Sequence, residues 1–259
     1  MTTRRLTVSG LALVTALSFG VAGCNDNGTG TAAPSGAAGT AATSAAADPR
    51  QELAAAATKL GSDTVKVKMS MAGGLNGSGA MDPAAKKAQM AMNVSAGAQS
   101  IKMDIVMLDK DLYLKITGMP NMSNKWMHVD ASKVKAGSSL DVMPGGDPAG
   151  ASKMINSVVD VQRDGEHRFK GTLDLTKAQS ANAAALSALG DKAKAVPFTA
   201  TVDGQGRLTD LTVQMSTLQP GVGDLKTSYS DFGAPVSVNK PPAGQTTEAP
   251  SELLNLFNA

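Results

Sequence analysis

The sequence predicts an α+β domain in which a large curved antiparallel sheet of about 10–11 strands, a half-barrel in outline, wraps around a few helices. Three observations carry that expectation. Short runs of alternating apolar and polar residues recur between positions 65 and 231, the period of a strand with one buried face. Turn residues such as Leu108-Asp109-Lys110-Asp111, Asp164-Gly165 and Asp203-Gly204-Gln205-Gly206 separate the runs, and such short links join antiparallel neighbours. Helical signals are confined to three places: after Asp48-Pro49, after Asp147-Pro148, and in the alanine-rich residues 176–189.

In chain order, Asp48 reads as an N-cap with Pro49 at the first helical position and Gln51 placed for a capping box. The helix runs to Leu60, stops at Gly61, and offers Leu53, Ala56, Ala57 and Leu60 as its apolar stripe. Residues 64–71 alternate, with Val65, Val67, Met69 and Met71 on one face and Lys66, Lys68 and Ser70 on the other; residues 76–81 read as a glycine-rich partner. The central stretch, 86–129, continues the pattern through Met90, Met92 and Val94, then Ile101, Met103, Ile105 and Met107, then Leu112, Leu114 and Ile116. Trp126 and His128 share one face of the next strand, and Met127 and Val129 the other. A second helix ends near Ser157. Residues 158–163 and 166–174 form a hairpin across Asp164-Gly165, a pair that favours a type I′ turn, with Phe169, Gly171 and Leu173 facing in. Residues 196–202 pair with 208–215, and the last strand, 224–231, leads into Phe232-Gly233-Ala234-Pro235, read as a corner that pins the sheet against the first helix. One domain, 48–242, contains all of this. Residues 243–259 are set apart as a C-terminal tail with room for a short helix.

Ahead of the domain, residues 1–23 have the plan of an export signal. Arg4 and Arg5 supply the positive start, residues 11–21 the apolar core, and Val21-Ala22-Gly23 the small-residue approach to a cleavage site. Cys24, the one cysteine in the chain, would then be the first mature residue. An exported protein gains nothing from an exposed unpaired thiol there. Residues 25–47 consist largely of Ala, Gly, Thr and Ser with a single proline, too poor in large apolar groups to fold. They form a tether spanning on the order of 25–30 Å as a coil. No later run approaches about 18 consecutive apolar residues, the length a membrane helix requires. Without its two signal arginines the chain has 22 basic against 22 acidic residues, so it lacks the basic excess that nucleic-acid binding or a polybasic lipid patch demands.

Function must come from the apolar face. Twelve of the 13 methionines after the signal lie between Met69 and Met154, whereas residues 24–259 as a whole contain only seven aromatics. Methionine fills irregular or variable space, while a single well-specified core leans on branched aliphatics and aromatics. The candidate cavity-lining set is Val67, Met69, Met71, Met90, Met92, Met103, Ile105, Met107, Leu112 and Leu114. The competing reading is a closed, methionine-filled core in a structural or partner-binding protein. A catalyst has little to work with: Leu75-Asn76-Gly77-Ser78-Gly79 lacks the first glycine of a nucleophile elbow. His128 and His167 have no ligand at metal-binding sequence spacing, and no phosphate-binding glycine pattern is completed. No cofactor, metal site or catalytic residue is expected.

Val21-Ala22-Gly23-Cys24 resembles the bacterial lipobox, whose cysteine takes a diacylglyceryl group; two acyl chains there would anchor the protein stably, since each buried methylene adds about 0.8 kcal/mol. Residues 48 to about 242 resemble the LppX/LprG type of actinobacterial lipoproteins, whose fold resembles the LolA and LolB lipoprotein carriers. The resemblance rests on Asp111-Leu112-Tyr113-Leu114-Lys115, on Lys125-Trp126-Met127-His128-Val129-Asp130, and on Tyr229-Ser230-Asp231-Phe232-Gly233-Ala234-Pro235-Val236. It implies a hydrophobic cavity open at one end and carriage of acyl lipids or lipoglycans across the cell envelope. It also implies a position at the outer face of the cytoplasmic membrane, held by Cys24, with a membrane transporter as a further partner.

Overall fold

A computed structural model of the chain describes residues 47–258 apart from 98, 121, 123, 135–139, 141, 142, 144–146, 148, 149, 178–188 and 220. The signal, Cys24 and nearly all of the tether lie outside the described residues, as does most of the alanine-rich segment.

The fold is α+β, with a 12-stranded, open, mostly antiparallel sheet. Helix α1 (Pro49–Lys59) is followed by β1 (Val65–Met71), β2 (Leu75–Asp82), β3 (Lys87–Ala96), β4 (Gln99–Leu108), β5 (Asp111–Thr117) and β6 (Trp126–Asp130). Helix α2 (Ala151–Asn156) precedes β7 (Val158–Arg163) and β8 (Arg168–Leu173). Then come β9 (Val196–Val202), β10 (Leu208–Val213), β11 (Leu225–Ser230), β12 (Thr246–Glu248) and α3 (Ser251–Asn258). Across the sheet the order is β12-β6-β5-β4-β3-β2-β1-β11-β10-β9-β8-β7. Two meanders therefore meet where β1 pairs with β11, and β12 is the one strand that pairs in parallel, along β6. Residues 243–258, set apart from the sheet on sequence grounds, thus add its twelfth strand and a helix.

Register puts the apolar alternation of every strand on one side. Val67 stands opposite Gly79, which faces Met90, then Ile105, Leu114 and Met127. On the other side of β1, Val67 faces Tyr229. On this inner face α1 seats Leu53, Ala56, Ala57 and Leu60, all at most 1 % exposed, and it packs against α2, β7 and β10. The sequence dictates α1 closely. Asp48 accepts a hydrogen bond from the Arg50 amide at 2.8 Å, and Pro49 occupies the first turn. Arg50 does a second job: its guanidinium donates to the carbonyls of Val158 and Val159, both at 2.7 Å, and so occupies acceptors on the outermost strand β7. Arg163 on β7 pairs with Glu52 of α1. Asp147 caps α2 from upstream, with Oδ1 accepting from the Ser152 amide at 2.9 Å and Oδ2 from the Lys153 amide at 3.1 Å.

Two local expectations need correction. The β7–β8 link is longer than a two-residue turn: Arg163 pairs with Phe169, and the Asp164 amide donates to the Arg168 carbonyl at 2.8 Å. Ion pairs from Asp164 to Lys170 and Arg168 support this wider loop in place of tight-turn geometry. Phe232 is not buried against α1 either. It is half-buried, Pro235 is exposed, and the Arg207 guanidinium lies 4.4 Å from the Phe232 ring centroid. Residues 231–245 then carry the chain from mid-sheet β11 to edge strand β12. Lys240 sits 5.7 Å from the Tyr113 ring centroid, so this crossing passes over the outer face, where Tyr113 and Val106 are only 2 % and 8 % exposed.

Candidate functional site

The inner face divides into rungs that run across the strands. One rung, Val67, Met90, Ile105 and Leu114, is buried in the same core as the α1 stripe, as is Leu112 on the rung beside it. These five of the proposed lining residues are core. The other five, Met69, Met71, Met92, Met103 and Met107, are half-buried, and of these Met69, Met92, Met103 and Met107 pack against the margin of that core.

Four of these five gather at one end of the sheet. Met69 faces Gly77, which faces Met92, which faces Met103. In the next rung Met71 faces Leu75, which faces Val94, which faces Ile101, and Leu225 flanks Met71 from β11. Val94 is 46 % exposed and its rung neighbours are half-buried. An apolar band five strands wide, about 19 Å at the usual strand spacing, therefore continues from the core toward solvent. Part-exposed apolar surface continuous with a core in this way is a candidate binding surface. Met107 is separate, on the rung of Val65, Met81, Ala88 and Leu112 at the opposite end.

Gly77 sets the depth of the band. A Cβ built there would lie 3.4 Å from Met69 Cε and 3.4 Å from Met92 Cγ. Two thioether side chains thus border the space that a side chain at 77 would enter. Both are unbranched and turn through low barriers, so the filling can be displaced without moving the backbone.

His128 is the second feature, and one the sequence spacing concealed. Its Nε2 lies 2.7 Å from Asp111 Oδ1 on β5, and its Nδ1 lies 2.9 Å from Glu248 Oε1 on β12. The Tyr113 ring stacks at a tilt of 37°, 5.1 Å between centroids. Only the imidazolium donates from both nitrogens, so the doubly protonated form fits two carboxylates and the neutral form fits one. The hydrogen bond to Glu248 does most to raise the His128 pKa above its ordinary value; burial opposes it, and the hydrogen bond to Asp111 together with the charges of both carboxylates outweighs that opposition. The hydrogen bond to Tyr113 likewise raises Lys240. The cluster fastens the C-terminal crossing to the sheet edge. Ala249 continues it by donating its amide to the His128 carbonyl at 2.9 Å.

Cys24 lies outside the described residues. Ser78, in the run that brushes against a nucleophile elbow, is mid-strand on the outer face in β2. Among the described residues, no group of three His, Cys, Asp or Glu side chains is arranged to hold a metal ion, and no helix is long and apolar enough to cross a membrane. No protein-family model matches this chain, and no curated protein matches it.

Proposed function

We propose that this protein is an exported, membrane-anchored carrier of acyl lipids or lipoglycans. Cys24 carries the diacylglyceryl anchor, residues 25–47 let the domain move above the outer face of the cytoplasmic membrane, and the inner face of the sheet receives an acyl chain. The observation that carries the reading is the half-buried band of Met69, Met71, Met92 and Met103, with Leu75, Val94 and Ile101 beside it. Each methylene that leaves water for this surface contributes about 0.8 kcal/mol, and the methionines yield to the chain because their side chains repack cheaply. The likeness to the LppX/LprG lipoproteins supports the same reading and adds a membrane transporter as the partner that delivers or removes the lipid.

Native mass spectrometry of the protein purified from its own membranes tests the proposal. Co-purified acyl lipid near one per chain, beyond the mass of the anchor itself, is the expected result. Clean lipid-free protein from a lipid-rich host favours the closed, partner-binding lipoprotein instead, a reading that Val67, Met90, Ile105, Leu112 and Leu114 support through their burial in the core.

A further inference from the structure

The outer face of the sheet holds two adjoining grooves of about 710 and 610 Å³. Lys68, Ser78 and Ala91 line both, so the two form one trough that crosses the strands. Its floor carries short polar side chains: Ser70, Asn76, Ser78, Asn93, Thr212 and Ser228. One rung traces its length. Asp210 faces Ser228, Ser228 faces Lys68, Lys68 faces Ser78, Ser78 faces Ala91, and Ala91 faces Asp104. Trp126, the single tryptophan of the chain, closes the far end. From β6 to β10 the sheet is eight strands wide, about 34 Å at the usual spacing.

The charges in the trough are unevenly satisfied. Lys66 pairs with Asp231 at 2.7 Å and Lys102 with Asp104 at 3.1 Å. Among the described residues, Lys68 and Lys226 have no carboxylate within ion-pair distance. Two uncommitted cations and, at the β10 end, one uncommitted carboxylate, Asp210, thus stand beside a floor of hydroxyl and amide groups, each of which both donates and accepts. A sugar chain presents the same mixed donors and acceptors, and its ring faces stack on an indole. Two cations are few for a nucleic acid, and one aromatic gives no series of base-stacking platforms.

We infer that the trough binds an acidic oligosaccharide, a hydroxyl-rich chain bearing carboxylate or phosphate groups, with Lys68 and Lys226 on its anions and Trp126 against a sugar ring. The polar side chains of this site are on the opposite face of the sheet from the methionine band, whose Met69 and Met92 also border the larger groove.

Because Trp126 is the sole tryptophan, its emission reports occupancy directly. The full chain in detergent micelles would be titrated with octagalacturonate, long enough to reach from Trp126 on β6 to Lys226 on β11, six strand spacings or about 29 Å away, with neutral maltooctaose and with an eight-residue oligothymidylate. The inference predicts a saturable change in emission with octagalacturonate, weakened on the order of tenfold by either Lys68→Ala or Lys226→Ala, as expected for loss of a hydrogen bond to a charged group. Lys86→Ala, which removes a cation paired with Asp109 at 3.6 Å in a hairpin turn, should leave the affinity as it was. No saturable change, an equal response to maltooctaose, tighter binding of the oligothymidylate, or insensitivity to both trough substitutions would each overturn it.

Discussion

Met103 and Ile105 stand two residues apart on β4 and point to the same face, yet they should answer enlargement in opposite ways. Ile105 is 1 % exposed and sits on the sealed rung with Met90 and Leu114. Ile105→Phe must push extra volume into a filled core, at about 1–3 kcal/mol. For a domain of this size that lowers the melting temperature by about 2–12 °C, from roughly 2–4 °C per kcal/mol. Met103 is half-buried at the margin of the core, so Met103→Trp has room to turn outward and should change stability by less than about 0.5 kcal/mol. Its cost falls on the ligand instead. If the indole excludes two chain methylenes, the loss is about 1.6 kcal/mol, roughly tenfold or more in affinity. Thermal melts and titration with a fluorescent long-chain lipid, run on the parent, both variants and Lys102→Ala as an outer-face control, separate the two effects. Equal destabilisation by both inner-face variants, with no lipid binding in the parent, would refute the reasoning and leave the methionines as plain core.

Other outcomes follow from the same geometry. Cys24→Ser should release the protein from membranes that retain the parent after a carbonate wash, while its melting temperature is unchanged, because the tether separates anchor from domain. The His128 clamp should depend on pH: a group whose folded pKa is raised contributes stability that is fully present below its unfolded value of about 6.5 and lost as pH rises through the folded value. Asp111, Glu248, Asp130, Tyr113 and Lys240 are the charged or titratable groups around it. Hydrogen exchange at the β12 and Ala249 amides, corrected for intrinsic rates, should therefore quicken above that range in the parent and lose this dependence in His128→Gln; flat protection across pH would count against the clamp. Phe232→Ala should cost about 1–2 kcal/mol, below the range for a fully buried aromatic, since the ring is half-buried under Arg207. A double-mutant cycle with Arg207→Ala should return a coupling of about 0.5–1 kcal/mol, and no coupling would mean the stacked pair contributes nothing.

Alternation made the faces of the strands legible before any coordinates. Every inner position named for β1, β3, β4 and β5 lies on the inner face, because a one-residue slip would have turned each buried side chain outward. The Leu53, Ala56, Ala57 and Leu60 stripe of α1 was equally readable, since its cap, proline and apolar spacing agree. Alternation does not say which strands are neighbours. Nothing local to β1 indicates that β11, more than 150 residues later, lies beside it. The carboxylates around His128 were hidden for the same reason. Asp111 reaches it across a strand pair, and Glu248 arrives on a parallel strand 120 residues downstream. The division of the methionines into buried and half-buried members was also invisible. Met90 and Met92 have the same residue type, strand and face, and nothing local to β3 tells that the core closes over one and leaves the other at its margin.

The central claim is that an acyl chain lies along the methionine band, and photo-crosslinking tests it most directly. A long-chain fatty acid carrying a diazirine would be equilibrated with the full-length protein, irradiated, and its attachment sites mapped by peptide sequencing. The account predicts label on β1, β3 and β4, concentrated at Met69, Met92, Val94, Ile101 and Met103, and reduced by unlabelled lipid in excess. Label confined to the outer face, or none that unlabelled lipid displaces, would contradict it.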